Sequence, residues 1–156
     1  MLIRVLFVCL GNTCRSPAAE AVFGDWLKRQ GLADRIQLDS AAIADDHVGQ
    51  SANERMIRAA AARNIDMLHL RVRQVTWPDF DRFDWIIAMD NSNLASLQAM
   101  MPASSRARLC LMLDYPGASQ QQIPDPYYGV ATDFESVLDL LQQACEPLYD
   151  RLMQHD

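Results

Sequence analysis

Histidine is scarce in this chain. Its three copies, at 47, 69 and 155, are not spaced like metal ligands. The four cysteines, at 9, 14, 110 and 145, include no C-x2-C pair, so no zinc motif is expected, and reduced thiols are the reading in the absence of an export pattern. No apolar run is long enough to span a bilayer. The first ten residues read as a short strand instead of a charged head followed by a long apolar segment. The resulting expectation is a cytoplasmic protein with no membrane partner. Positive charge is also in deficit: 14 Lys and Arg against 20 Asp and Glu leave a formal net charge of −6. That balance argues against a general nucleic-acid or anionic-membrane surface, but a basic pocket for one anion can still exist within it. Repeats, low-complexity tracts and linkers are missing as well. With 156 residues, half of them apolar, the chain reads as one domain, 1–156, large enough for a sizeable core.

What is present is a regular alternation. Apolar stretches at Ile3–Val8, Arg35–Ala41, Asp84–Met89 and Arg108–Leu113 read as buried strands. Helical patterns lie between and after them. Pro17–Arg29 has Ser16 placed as N-cap, Pro17 at the first helical position and Gly31 at the end. Ser51–Arg63 is alanine-rich, Asn91–Met100 opens on an Asn-Ser pair, and Thr132–Met153 carries an apolar stripe interrupted by Pro147, which is expected to kink or divide it. Strands alternating with helices imply an α/β fold: a doubly wound four-stranded parallel sheet with helices on both faces. Its ligand crevice lies beyond the carboxyl ends of the strands, where Cys9, Ser40 and Asp90 are expected.

The most informative segment is Cys9-Leu10-Gly11-Asn12-Thr13-Cys14-Arg15-Ser16, between the first strand and the first helix. Backbone N–H groups of such a loop can converge at a helix N-terminus, where the dipole is positive. Arg15 adds a permanently charged planar fork that grips two oxygens of a phosphate. A thiol at the base of the cradle sits in a field that favours the thiolate, so the features that bind phosphate also prepare Cys9 to attack it. Gly11 and Asn12 suit a loop that turns through positive φ. Asp125 lies between two prolines in Ile123-Pro124-Asp125-Pro126-Tyr127-Tyr128-Gly129, a turn that would hold its carboxyl still. On spacing alone it reads first as a simple Asp-Pro turn.

The Cys9–Ser16 segment resembles the low-molecular-weight protein tyrosine phosphatase family. The resemblance continues at Ser40-Ala41, His69, Met89-Asp90 and Asp125-Pro126-Tyr127-Tyr128, and covers nearly the whole chain. It implies a flavodoxin-like fold and metal-independent, cofactor-free hydrolysis of phosphotyrosine and small aryl phosphates through a cysteinyl-phosphate, with phosphate and vanadate as inhibitors. Cys9 would be the nucleophile, Arg15 the clamp on the transferring group and Asp125 the general acid. Leu10, Gly11, Asn12, Thr13, Cys14 and Ser16 would complete the phosphate loop. Asn12, Ser16, Ser40 and His69 match four polar positions that hold that loop through hydrogen bonds. Tyr127 and Tyr128 would wall the mouth for a substrate ring. Asp90 would orient Arg15 or, equally, cap the helix that follows it. Cys14 would fill space behind the cradle or form a protective disulfide with Cys9 on oxidation.

One segment departs from the family pattern. Where many relatives have Gly-Thr and then a bulky wall residue, this chain reads Ala42-Ile43-Ala44-Asp45-Asp46-His47, with Asp46 near the wall position. Carboxylates there would disfavour acidic substrates. A Cys-x5-Arg loop also serves other phosphatases and an arsenate reductase family. The latter needs further thiols to relay a disulfide, and no cysteine lies between 14 and 110. A general small-phosphate monoesterase is the other alternative.

Overall fold

The computed structural model describes residues 1–154 and places four parallel strands in one sheet. Strand β1 is Ile3–Cys9, β2 is Ile36–Ala42, β3 is Trp85–Ala88 and β4 is Arg108–Leu111. Their order across the sheet is β2-β1-β3-β4, with Phe7 beside Ser40 on one side and Ile87 on the other. Five α-helices connect and cover them: α1 Arg15–Arg29, α2 Glu54–Ala61, α3 Asp79–Arg82, α4 Asn91–Met100 and α5 Ala131–Gln154. A short 3-10 turn, Ala33–Arg35, leads into β2.

Alternation along the central strand divides the core in two. Val5, Phe7 and Cys9 point to the face covered by α1, α2 and α5, where Phe23, Met56, Phe134 and Leu148 are buried. Leu6 and Val8 point to the opposite face, packed with Phe80 of α3 and Leu97 of α4. Burial on both faces is why β1 and β3 read as continuous apolar runs, while the edge strands β2 and β4 are only partly buried. The chain runs from β1 to β2 on one side and to β3 on the other. The switch point therefore falls between β1 and β3, with its crevice beyond Cys9 and Ala88.

Several boundaries differ from the sequence expectation. Helix α1 begins at Arg15, so Ser16 is inside the helix and is not its cap; position 14 precedes it with no side-chain cap bond. The helix ends as expected at Gly31, whose φ of 72° lets its N–H reach Lys28 O and the next N–H, of Leu32, reach Leu27 O. Helix α2 starts three residues later than Ser51, because Ser51 pairs with Arg71 in an isolated bridge and Asn53 supplies the cap. Asp90, not the Asn-Ser pair, caps α4. Helix α5 continues through Pro147 without dividing. Its buried stripe, Phe134, Val137, Leu138, Leu141, Ala144, Cys145, Leu148 and Leu152, continues on both sides of the proline and outweighs its lost hydrogen bond.

Candidate active site

Cys9 is the last residue of β1, and the chain then curls through residues 10–14 into α1. Asn12 makes the curl possible. Its φ is +55°, the left-handed region that asparagine tolerates well. Gly11 does not share that conformation; its position would leave an added Cβ 3.5 Å from His47 Cδ2. Asn12 is buried and bonded at both ends of its amide. Nδ2 donates to Ser16 Oγ at 2.8 Å, and Oδ1 accepts from the Arg73 backbone N–H at 3.2 Å.

Three donors converge on the sulfur of Cys9. The Asn12 N–H lies 3.3 Å from Sγ, the Ser16 N–H 3.4 Å and the Ser16 hydroxyl 3.0 Å. Ser16 Oγ accepts from Asn12, and its own proton has two acceptors in reach, the sulfur at 3.0 Å and Ala41 O at 3.5 Å, of which the sulfur is the nearer. A negatively charged sulfur is the partner these donors suit. The other three thiols are in different surroundings. Burial pushes Cys14 up to about 12, Cys110 to about 11 and Cys145 to about 12, so all three stay protonated at neutral pH. All four cysteines are free thiols.

Arg15 lies 3 % exposed beside the sulfur loop. Its Nη1 donates to Asp90 Oδ2 at 2.7 Å and to Ile123 O at 2.9 Å, and Nη2 lies 3.8 Å from Asp125 Oδ2. Asp90 performs both roles its position allowed: Oδ2 holds Arg15, while Oδ1 accepts from the Asn93 N–H and caps α4. Asp125 is held by its own turn, Oδ1 accepting from the Tyr127 N–H at 3.0 Å. Cys9, Leu10, Gly11, Thr13, Cys14, Arg15, Asp46, Asp125, Tyr127 and Tyr128 line one cleft of about 130 Å³. The Tyr127 and Tyr128 rings meet edge to face at 4.9 Å.

Ser40 and His69 are not brought to the loop. Ser40 lies two residues inside β2, and its hydroxyl donates to Glu20 of α1 at 2.8 Å. The His69 side chain is 69 % exposed and approaches Asp66 at 4.0 Å. Ser40 meets Glu20 and His69 meets Asp66, and neither side chain hydrogen-bonds the Cys9–Ser16 loop. Arg73 takes over the supporting place: its backbone N–H holds Asn12, and its guanidinium is clamped by Asp39 and by Asp79, which is 1 % exposed.

Three residues at or around the cleft were not singled out from the sequence. His47 lines the cleft beside Asp46, with its ring 6.0 Å from that of Tyr127. Its adjacency to Asp46 was the available clue. Arg73 and Arg55 carry no local pattern that distinguishes them from solvated arginines. Among the described residues, no group of His, Cys, Asp and Glu could hold a metal ion, and no helix is long and apolar enough to cross a membrane.

Comparison with known proteins agrees with this geometry. A family model described as low molecular weight phosphotyrosine protein phosphatase matches residues 4–156. The low molecular weight protein-tyrosine-phosphatase YfkJ of Bacillus subtilis is 41 % identical over 148 residues, 94 % of each chain. The pig low molecular weight phosphotyrosine protein phosphatase is 39 % identical over 150 residues, covering 95 % of this chain and 94 % of its own. Among solved structures, the protein tyrosine phosphatase of Entamoeba histolytica, with Hepes in its active site, superposes with a TM-score of 0.92 at 38 % identity, covering 98 % of both chains. Similarity over nearly the full length, in sequence and in fold, places this chain in the low molecular weight phosphotyrosine protein phosphatases, a family of phosphoric-monoester hydrolases.

Proposed function

We propose that this protein hydrolyses phosphotyrosine in protein substrates, and small aryl phosphates, through a phosphocysteine formed on Cys9. The observation that carries the reading is the set of three donors on Cys9 Sγ at the floor of a cleft that also exposes Arg15 and Asp125. In the first step Sγ attacks phosphorus, the bond to the aryl oxygen breaks, and Asp125 gives its proton to the departing phenolate. In the second, water attacks the phosphocysteine while Asp125 takes a proton from it, releasing inorganic phosphate and the thiolate. Arg15 and the loop amides stabilise the charge on the transferring oxygens throughout, which supplies what a metal would otherwise provide. The same groups fit phosphate and vanadate as competitive inhibitors. Tyr127 offers a flat wall to the substrate ring.

Arsenate reduction would need thiols to relay a disulfide outward. Cys110 and Cys145, held protonated by burial, are poorly suited to that.

The decisive experiment uses p-nitrophenyl phosphate and a tyrosine-phosphorylated peptide. Cys9→Ser should abolish turnover of both, vanadate should inhibit the native protein competitively, and chelators should leave its rate unchanged. Undiminished turnover by Cys9→Ser would refute the reading.

A further inference from the structure

The segment that carries Asp125 has no regular structure between Ile123 and α5, yet it must deliver a carboxyl to one place. Both of its ends are fastened. Ile123 N–H donates to Met89 O and Ile123 O accepts from Arg15. At the far end the Val130 N–H donates to Asp133 Oδ2, and the Asp133 N–H donates back to Val130 O. Asp133 packs so close that a Cβ on Gly129 would come within 2.1 Å of its Oδ2 and would displace that carboxylate from Val130. Within the turn, the bonds are internal: Tyr127 N–H to Asp125, and Gly129 N–H to Pro126 O.

From outside, one residue grips the middle of the turn. Arg55 Nη1 donates to Gly129 O at 2.9 Å, and Nη2 donates to Tyr127 O. Among the described residues, Arg55 supplies the only hydrogen bonds from another element to residues 124–129. Its guanidinium also lies 4.7 Å above the ring of Phe134 at the start of α5. Arg55 is the second residue of α2, and the residue just before that helix, Asn53, donates its backbone N–H to Thr13 O of the sulfur loop at 2.8 Å. A single helix start therefore bonds to the nucleophile loop through its backbone and to the acid-bearing turn through a side chain.

We propose that Arg55 is a positioning residue that sets Asp125 at its working distance from Cys9 and Arg15. This rests on Asp125 acting as the acid. Two N–H groups on one planar fork fix both the spacing and the tilt of the turn they hold; a lysine at this position would keep the charge and lose the fork. The turn is internally stiff, with Pro124 and Pro126 flanking the carboxyl, so the grip of Arg55 on its backbone sets how the carboxyl meets Arg15, 3.8 Å away. Arg55 does not line the cleft, so it acts through Asp125 and not on the substrate.

The test is kcat/KM for a series of aryl phosphates whose leaving phenols differ in pKa, measured for the native protein, Asp125→Asn, Arg55→Ala, Arg55→Lys and the double variant Arg55→Ala with Asp125→Asn. Arg55→Ala should lose about ten- to a hundred-fold with phenyl phosphate, as a slightly misplaced group does. It should lose little with 2,4-dinitrophenyl phosphate, whose leaving group needs no proton. Arg55→Lys should show the same steepened dependence. In the Asp125→Asn background, Arg55→Ala should add no further loss. The vanadate inhibition constant should not move, which shows that the exposed helix substitution left the fold and the cradle intact.

Uniform loss across the series, additive loss in the double variant, native behaviour of Arg55→Lys, or no loss at all would overturn the proposal. If Asp125→Asn itself showed no leaving-group dependence, the acid assignment would fall first. If it did and Arg55→Ala did not, only the role of Arg55 would be lost.

Discussion

At residue scale, Glu20 is a buried carboxyl whose partner is the Ser40 hydroxyl. Burial raises its carboxyl above the ordinary value near 4.5, and the Ser40 hydroxyl bond pulls in the opposite direction. A carboxyl raised in the folded state contributes fully while protonated, below the unfolded value. It loses that contribution as pH rises through the folded one. Glu20→Gln keeps an acceptor for Ser40 and removes the buried charge. Urea unfolding should find it equal to the native protein near pH 4 and increasingly more stable as pH rises to 7. A pH-independent difference would show that the carboxylate is not penalised. Cys9 and Arg15 stood out in the sequence because a Cys-x5-Arg-Ser loop between a strand and a helix is a compact anion cradle, whereas Asp125 stood out only through the family resemblance. The supporting role expected of Ser40 and His69 could not be read, because Ser40 bonds Glu20 and His69 stands exposed beside Asp66, and no local pattern sets either partner. Arg55 and Arg73 escaped notice for the opposite reason: a lone arginine reads as surface until its acceptors are known.

At the scale of elements, β1 and β3 were legible because they are buried on both faces, and the edge strands β2 and β4 are only partly buried. Helix starts were less so. Ser16 has the right type for a cap, but its hydroxyl is engaged with Cys9 Sγ, Asn12 Nδ2 and Ala41 O, and the helix begins a residue earlier. The alanine-rich pattern before Arg63 extended back to Ser51, where pairing with Arg71 wins over helix propensity. Asn53 then takes the cap, its Oδ1 accepting from the Arg55 and Met56 N–H groups. Asn53→Ala should lower stability by about 1 kcal/mol, read from the urea midpoint. It should also loosen the first turn of α2, from which Arg55 reaches the acid turn. The four-residue α3 has no periodicity to betray it. Its buried Asp79 accepts from the Thr76 N–H and the Arg73 guanidinium, and these bonds tie it into the support of Asn12.

For the molecule as a whole, sign and architecture act at different ranges. The net charge of −6 surrounds a cleft whose permanent cation, Arg15, is nearly buried, while Asp45 and Asp46 stand exposed at the approach. A phosphopeptide with acidic neighbours should show a higher KM than a neutral one at low salt. That gap should narrow as ionic strength approaches about 0.15 M, where screening acts over roughly 8 Å. A gap indifferent to salt would assign the preference to shape. The doubly wound arrangement was readable from the alternation of strands and helices, and it put the crevice at the right end of the sheet. It could not show how far apart in the chain the cleft's parts lie. Arg15 binds the carbonyl of Ile123, 108 residues away. A nascent chain leaving the ribosome therefore carries its sulfur loop long before the turn that completes the site. On the proposed mechanism, the site can be complete only after the last strand, the turn at Ile123 and the final helix that covers the Cys9 face of the sheet have all emerged.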